Sequence, residues 1–177
     1  RGMVHVNVLK DSFSKIEDLK KSRCKELFIG IESGSNKIRK KIKKKGTIKD
    51  ILEVSSKILE VGIDLKGYFI YGFPEETEED FKMTFELAKG IKEISLKTLG
   101  KFRTSVFQFR PYHGTQLYDE IIKIRGSIPE CKINNSLNSN KEEEGRTQFN
   151  LTSGNYSKVS DEKLEEYILK TQKLTKE

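Results

Sequence analysis

One pattern constrains this chain more than any other: an apolar, strand-like segment occurs three times, and each copy ends in a polar turn that carries glycine. The three are Leu27-Phe28-Ile29-Gly30-Ile31-Glu32-Ser33-Gly34, Gly67-Tyr68-Phe69-Ile70-Tyr71-Gly72-Phe73-Pro74-Glu75 and Val106-Phe107-Gln108-Phe109-Arg110-Pro111-Tyr112-His113-Gly114-Thr115. Helix-period segments lie between them. Ile51, Leu52, Ser55, Ile58 and Leu59 follow the capping signature Thr47-Ile48-Lys49-Asp50 and precede Gly62, while Phe81, Phe85, Leu87, Ala88 and Ile91 follow Thr77-Glu78-Glu79-Asp80. Upstream, Met3 to Leu9 reads as a further strand and Ile16 to Lys21 as a short helix leading into Glu26–Ile31. Strands alternating with helices predict an α/β fold with about four parallel strands and right-handed crossovers. Small ligands bind such sheets at the carboxyl ends of the strands, where the three turns fall.

The 177 residues suffice for one ordinary domain. Beyond Tyr118 the character changes: Cys131 to Gly145 is polar and Asn-rich and is expected to be an exposed loop, and Arg146 to Leu151 a short extended piece. A terminal helix then starts at Ser160, with Leu164, Tyr167, Ile168, Thr171 and Leu174 on one face. The expected division is a core of 1–125 and an extension of 126–177. The net charge of +7 is densest in Lys37-Ile38-Arg39-Lys40-Lys41-Ile42-Lys43-Lys44-Lys45. Ile38 and Ile42 are four apart, so the run reads as a helix with one apolar stripe and a solvated basic face, and nucleic acid is not an expected partner. Cys24 and Cys131 are far apart and form no metal or disulfide pattern, which suggests reduced thiols and a cytoplasmic setting. No apolar run reaches the roughly 18 residues of a membrane span, so none is expected.

Each turn offers specific chemistry. Glu32 can accept hydrogen bonds from a vicinal diol such as ribose, with small neighbours letting a ligand approach the main chain; it can equally be a turn-forming acid. Ile70 offers an apolar flank for a flat ring, Gly72 removes an obstructing side chain, and Phe73-Pro74 stiffens the loop. Glu75 and Glu76 also suit a helix start, the role expected of Glu76. The main chain around Phe109 and Arg110 can read the polar edge of a purine, and His113 is expected to be a loop or packing residue.

These words, in this order and spacing, resemble the second half of the barrel of the radical S-adenosylmethionine superfamily, in its cobalamin-associated branch. The matching stretches are Phe28-Ile29-Gly30-Ile31-Glu32-Ser33-Gly34-Ser35 with Lys44-Lys45-Gly46-Thr47, then Gly62-Ile63, then Phe69 to Thr77, then Phe109 to Tyr118. The resemblance runs from about Val4 to Tyr118 and implies a half barrel of TIM type with helices outside. It implies that Glu32 holds the ribose hydroxyls of S-adenosylmethionine with Ser33 beside it, and that Lys44 pairs with the methionyl carboxylate. Ile70 and Gly72 flank the adenine, Glu75 is the closing acid of that motif, and the backbone at Phe109 and Arg110 contacts the adenine edge. Tyr68 and His113 depart from the pattern, standing where glycine and proline are usual.

The resemblance also implies a four-iron cluster held by three closely spaced cysteines, and no such trio occurs in this sequence. The chain is therefore expected to be a piece of such an enzyme, inactive alone, with the cluster in the longer protein and cobalamin as a further cofactor. In an intact relative, S-adenosylmethionine is cleaved reductively to a deoxyadenosyl radical that abstracts hydrogen from substrate. A half barrel leaves an open edge, so the missing half or a second copy is the expected partner, with a small-molecule substrate lying against Arg146 to Ser157. The alternatives are a self-sufficient nucleoside-binding module and a basic RNA-binding domain.

Overall fold

The computed structural model describes residues 1–133 and 151–175. The expectations for the 131–145 loop, the 146–151 extended piece and the 146–157 lining segment fall largely outside them. Four strands, β1 (Gly2–Met3), β2 (Glu26–Glu32), β3 (Asp64–Tyr71) and β4 (Phe102–Gln108), form one sheet in the order β1-β2-β3-β4. All three pairings are parallel, so each connection must cross from one end of the sheet to the other. Helices α1 (Val6–Lys10) and α2 (Ser14–Lys21) make the first crossing, and α3 (Asn36–Lys41) and α4 (Ile48–Glu60) the second. Helix α5 (Glu78–Ser95) makes the third, α6 (Gln116–Arg125) follows β4, and α7 (Asp161–Lys173) comes last. Lys132–Ile133 (β5) and Leu151–Thr152 (β6) form a small antiparallel ladder. This is an α/β fold whose parallel sheet and flanking helices make a partial (β/α) barrel.

The two-residue period of the strands sorts side chains by face. Leu27, Ile29 and Ile31, Leu65, Phe69 and Tyr71, and Phe102 and Val106 are buried in the main core with α4, α5 and α7. The opposite face carries Phe28, Tyr68, Ile70 and Phe107, all half-buried. Phe28 meets Tyr68 edge-on at 6.2 Å, and Tyr68 stacks on Phe107 at 6.0 Å, so three strands share one aromatic ladder. A sheet with helices on one face and a half-buried ladder on the other is the wall of an open barrel.

The helix starts match their sequence signals. Thr47 and Asp50, and Thr77 and Asp80, form reciprocal capping boxes at α4 and α5, and the Ser160 side chain caps α7. Gly62 closes the turn after α4 at φ +73°. Leu164, Tyr167, Ile168 and Thr171 are buried as the spacing of α7 demands.

Two local expectations are corrected. Met3 to Leu9 is not one strand: pairing with β2 stops at Met3, the last bond being Val4 N–H to Phe28 O at 2.9 Å, and the chain then coils into α1. Val6 and Leu9 are three apart, so a strand would send them to opposite faces, whereas a helical turn buries both. The basic run is not one solvated helix either. It ends as α3 at Lys41, Lys43 takes φ +55°, and Arg39 turns inward until it is 3% exposed.

Candidate functional site

Register brings the three turns together. Ile70 stands opposite Phe107, Tyr71 opposite Gln108, and Phe109 N–H bonds Tyr71 O at 2.7 Å. On the other side of β3, a register shift between Gly30 and Glu32 sets Glu32 opposite Phe69. Glu32, Ile70 and Phe109 therefore occupy the carboxyl ends of three adjacent parallel strands.

Glu32 takes φ +66°, a left-handed conformation that an L residue adopts at a cost. Its Oε1 lies 2.9 Å from Nζ of Lys44, which sits in the loop after α3. Gly30 lies directly beneath, since a Cβ there would stand 2.5 Å from Glu32 Oε1 and 2.9 Å from Lys44 Nζ. The side chains of the pair are 20% and 23% exposed, enough for a ligand to reach them. Ser33 turns the other way: it is fully buried, with Oγ 3.2 Å from Thr84 Oγ1 of α5, and it accepts the Ser35 N–H.

The second turn closes differently from expectation. Gly72 N–H and Phe73 N–H both donate to Glu76 Oε2, at 2.8 and 2.9 Å, so Glu76 and not Glu75 is the acid that closes the turn. Glu75 sits at φ +69° with its carboxylate outward on Lys158. The N-cap of α5 is Thr77, which frees Glu76 to fold back over the turn instead of serving the helix start. Burial pushes the Glu76 carboxyl up to about 8, against the pull of its two backbone donors, and its Oε1 has no hydrogen-bond partner. The capping box at Thr77-Asp80 was the signal in the sequence that could have separated the two acids.

Phe109 packs on Phe73 at 4.9 Å and on Tyr156 at 5.8 Å, in a second apolar cluster that includes Ile38 and Ile121, with Ile70 at its margin. This cluster roofs the carboxyl end of β3. Arg110 lies over the exposed Tyr112 ring, 4.7 Å from its centroid, and donates to its hydroxyl at 2.6 Å. A cavity of about 370 Å³ opens alongside, floored by Ile42, Phe73, Phe109 and Leu117 with Lys43 and Arg110 at its rim. His113 packs edge-on against Tyr118 at 5.0 Å.

Arg39 belongs to the basic run but is buried, and charge and spacing alone do not mark it off from its exposed neighbours. Its Nη1 donates to Ile31 O at 2.5 Å, and its Nη2 donates to Lys45 O and Gly46 O at 3.0 and 3.1 Å. Burial lowers its pKa, while Glu32 and Asp50 act in the opposite sense. Cys24 stands just before the amino end of β2, its Sγ 3.6 Å from Glu26 O, and Cys131 is exposed. Among the described residues no three His, Cys, Asp or Glu side chains form a metal-binding group. Nor, among those residues, is any helix long and apolar enough to cross a membrane.

An acid, a cation and glycine-bearing turns are thus gathered at the carboxyl ends of a parallel sheet, the end at which α/β folds hold small ligands. Residues 3–88 match the family model of the Radical SAM superfamily. The chain is 32% identical over 184 residues to the tRNA-2-methylthio-N(6)-dimethylallyladenosine synthase of Pelagibacter ubique, covering 90% of the chain and 37% of the relative. It is 30% identical over 141 residues to the threonylcarbamoyladenosine tRNA methylthiotransferase MtaB of Thermotoga maritima, covering 78% and 30%. The chain thus spans 37% and 30% of the length of these two curated relatives.

Proposed function

We propose that this chain forms the nucleoside-binding part of a radical S-adenosylmethionine enzyme. The observation that carries the proposal is the convergence of Glu32, Ile70 and Phe109 on adjacent strand ends, with Lys44 facing Glu32 across Gly30. The donor set fits the ligand. Two carboxylate oxygens of Glu32 suit two ribose hydroxyls, the Lys44 ammonium suits the methionyl carboxylate, and Ile70 with Gly72 leaves a flat apolar place for adenine. Backbone at Phe109 and Arg110 faces the purine edge. Glu75 is directed to Lys158 and Ser33 to Thr84, so their contribution is to the turns that shape the rim. When bound, S-adenosylmethionine would supply a deoxyadenosyl radical on receiving one electron from a reductant outside this chain; Glu32, Lys44, Ile70 and Gly72 would bind it, orient it and exclude water.

The two cysteines do not fit an iron–sulfur cluster, for Cys24 lies before β2, away from the turns, and Cys131 is exposed. In this proposal the cluster thiolates come from a polypeptide that completes the barrel along β1. Cobalamin enters through the resemblance to its associated branch alone.

S-adenosylhomocysteine, which lacks only the sulfonium methyl, tests the site by calorimetry. The 177-residue chain is expected to bind it, and Glu32→Ala to weaken binding about tenfold or more, as for loss of a hydrogen-bonded charge. Silence in the wild type, or an unchanged isotherm in the variant, overturns the proposal.

RNA is the substrate class that the observations favour over a free small molecule. The relatives named above are tRNA-modifying proteins, and among the described residues Lys43, at the rim of the cavity, has no carboxylate partner, nor do Lys40 and Lys45 of the same basic run. Binding of unmodified tRNA is expected to weaken steeply with salt, and Lys43→Gln is expected to lower the slope of log K against log salt by about one. A flat salt dependence refutes this reading.

A further inference from the structure

Glu32 and Lys44 come from different elements, and neither is held in place by its own element alone. Glu32 stands at a register shift with a left-handed backbone, and Lys44 belongs to a loop between two helices. Something must hold the strand end and the loop at a fixed separation. Among the described residues, the side chain that bonds to both is Arg39.

We infer that Arg39 is a positioning residue: its buried guanidinium ties the end of β2 to the α3–α4 loop and thereby sets Glu32 and Lys44 at ligand-binding distance from each other. Nη1 grips Ile31 O, one residue before Glu32, and reaches Ser33 O, one residue after it, at 3.5 Å. Nη2 grips Lys45 O and Gly46 O, directly after Lys44. From below, the Lys44 N–H donates to Arg39 O at 2.9 Å, so the main chain of the same residue anchors the loop a second time. Both acceptor groups are carbonyls, which hold the cation without neutralising it. The charges of Glu32 and Asp50 favour the cation against the cost of burial. A planar fork is needed for this task, because one group must address two carbonyl sets in fixed directions; a lysine ammonium carries the charge but lacks the fork.

The inference deepens the proposed S-adenosylmethionine site and depends on that reading only for the ligand. It is therefore tested first without one, in the 177-residue chain, by limited acylation with an N-hydroxysuccinimide ester followed by peptide mass spectrometry. In the wild type, Lys44 is expected to react about tenfold more slowly than exposed Lys43 and Lys45, because Glu32 engages its amine. Arg39→Met and Arg39→Lys are both expected to bring Lys44 to the rate of Lys43, with circular dichroism and Tm showing that the chain remains folded. Arg39→Lys keeps the charge and serves where the methionine variant does not fold. A folded variant in which Lys44 stays protected overturns the inference, as does a wild type in which Lys44 is as reactive as Lys43.

The second measurement is a double-mutant cycle on S-adenosylhomocysteine affinity. Lys44→Ala is expected to weaken binding about tenfold in the wild type and hardly at all in Arg39→Lys, since the lysine is already displaced there. A merely structural role for Arg39 predicts additive losses, and additivity counts against positioning. If the wild type does not bind S-adenosylhomocysteine, the proposed function fails while the acylation result still decides the role of Arg39.

Discussion

Glu75 and Glu76 are chemically identical neighbours with opposite surroundings. Glu75 lies on the surface with Lys158, and that ion pair holds its carboxyl below the usual carboxylate range. Glu76 is fully buried against the turn it closes, with Asp80 nearby raising its pKa and Lys37 lowering it. Its folded pKa of about 8 lies above the ordinary 4.5, so the folded state holds the proton more tightly than the unfolded one. Stability is then expected to fall as pH rises from about 4.5 to about 8 and to level off above. Glu76→Gln keeps an acceptor for Gly72 and Phe73 but removes the titration. Thermal melts should show the variant gaining at least about 3 °C on the wild type between pH 5 and pH 9. Parallel profiles for the two proteins would show that Glu76 does not titrate in this range.

At the scale of elements, the caps of two helices are joined by one carboxylate. Asp80 accepts from Thr77 N–H at 2.9 Å as part of the α5 capping box, and its other oxygen accepts the hydroxyl of Ser35. Ser35 is itself the N-cap of α3, where its Oγ accepts Ile38 N–H. Lys37 completes the cluster at 3.4 Å. The turn after β2 and the start of α5 are therefore one hydrogen-bonded unit, further pinned where Gly34 meets the α5 backbone: a Cβ on Gly34 would stand 2.4 Å from Met83 O. Thr77→Ala is expected to lower stability by about 1 kcal/mol, the usual size of a lost cap. Asp80→Ala should lower it by about 2–3 kcal/mol, because it also strands a buried hydroxyl. Urea denaturation measures both, and equal losses would mean that the Ser35 link contributes nothing.

On the scale of the molecule, α7 completes the core and guards an edge. Tyr71 of β3 bonds Thr171 across a hundred residues of sequence at 2.8 Å, and its ring meets Phe81 and Tyr167. Thr175, just past α7, accepts Thr104 N–H at 2.8 Å and donates to Thr104 O at 3.3 Å, satisfying main-chain groups of β4. Tyr71→Phe is expected to destabilise the chain by about 1 kcal/mol in urea, and the loss should vanish in a Thr171→Val background. A loss that persists there would assign the effect to packing of the ring.

What a short window contains was legible in the residues alone. The strand character of β2, β3 and β4, the helix starts at Thr47 and Thr77, the cap at Ser160 and the buried stripe of α7 each depend on neighbours within a few positions, and local sterics and hydrogen bonding decide them. So does the placement of Glu32, Ile70 and Phe109 at strand ends, once parallel pairing is granted. Tertiary packing decided the rest. Val6 and Leu9 coil because the core lies to one side of them, and Arg39 turns inward because the carbonyls of the β2 end and of the α3–α4 loop, on either side of it in the chain, meet around its guanidinium. Burial and long-range pairing are properties of the assembled sheet, and no local pattern of charge or hydropathy records them.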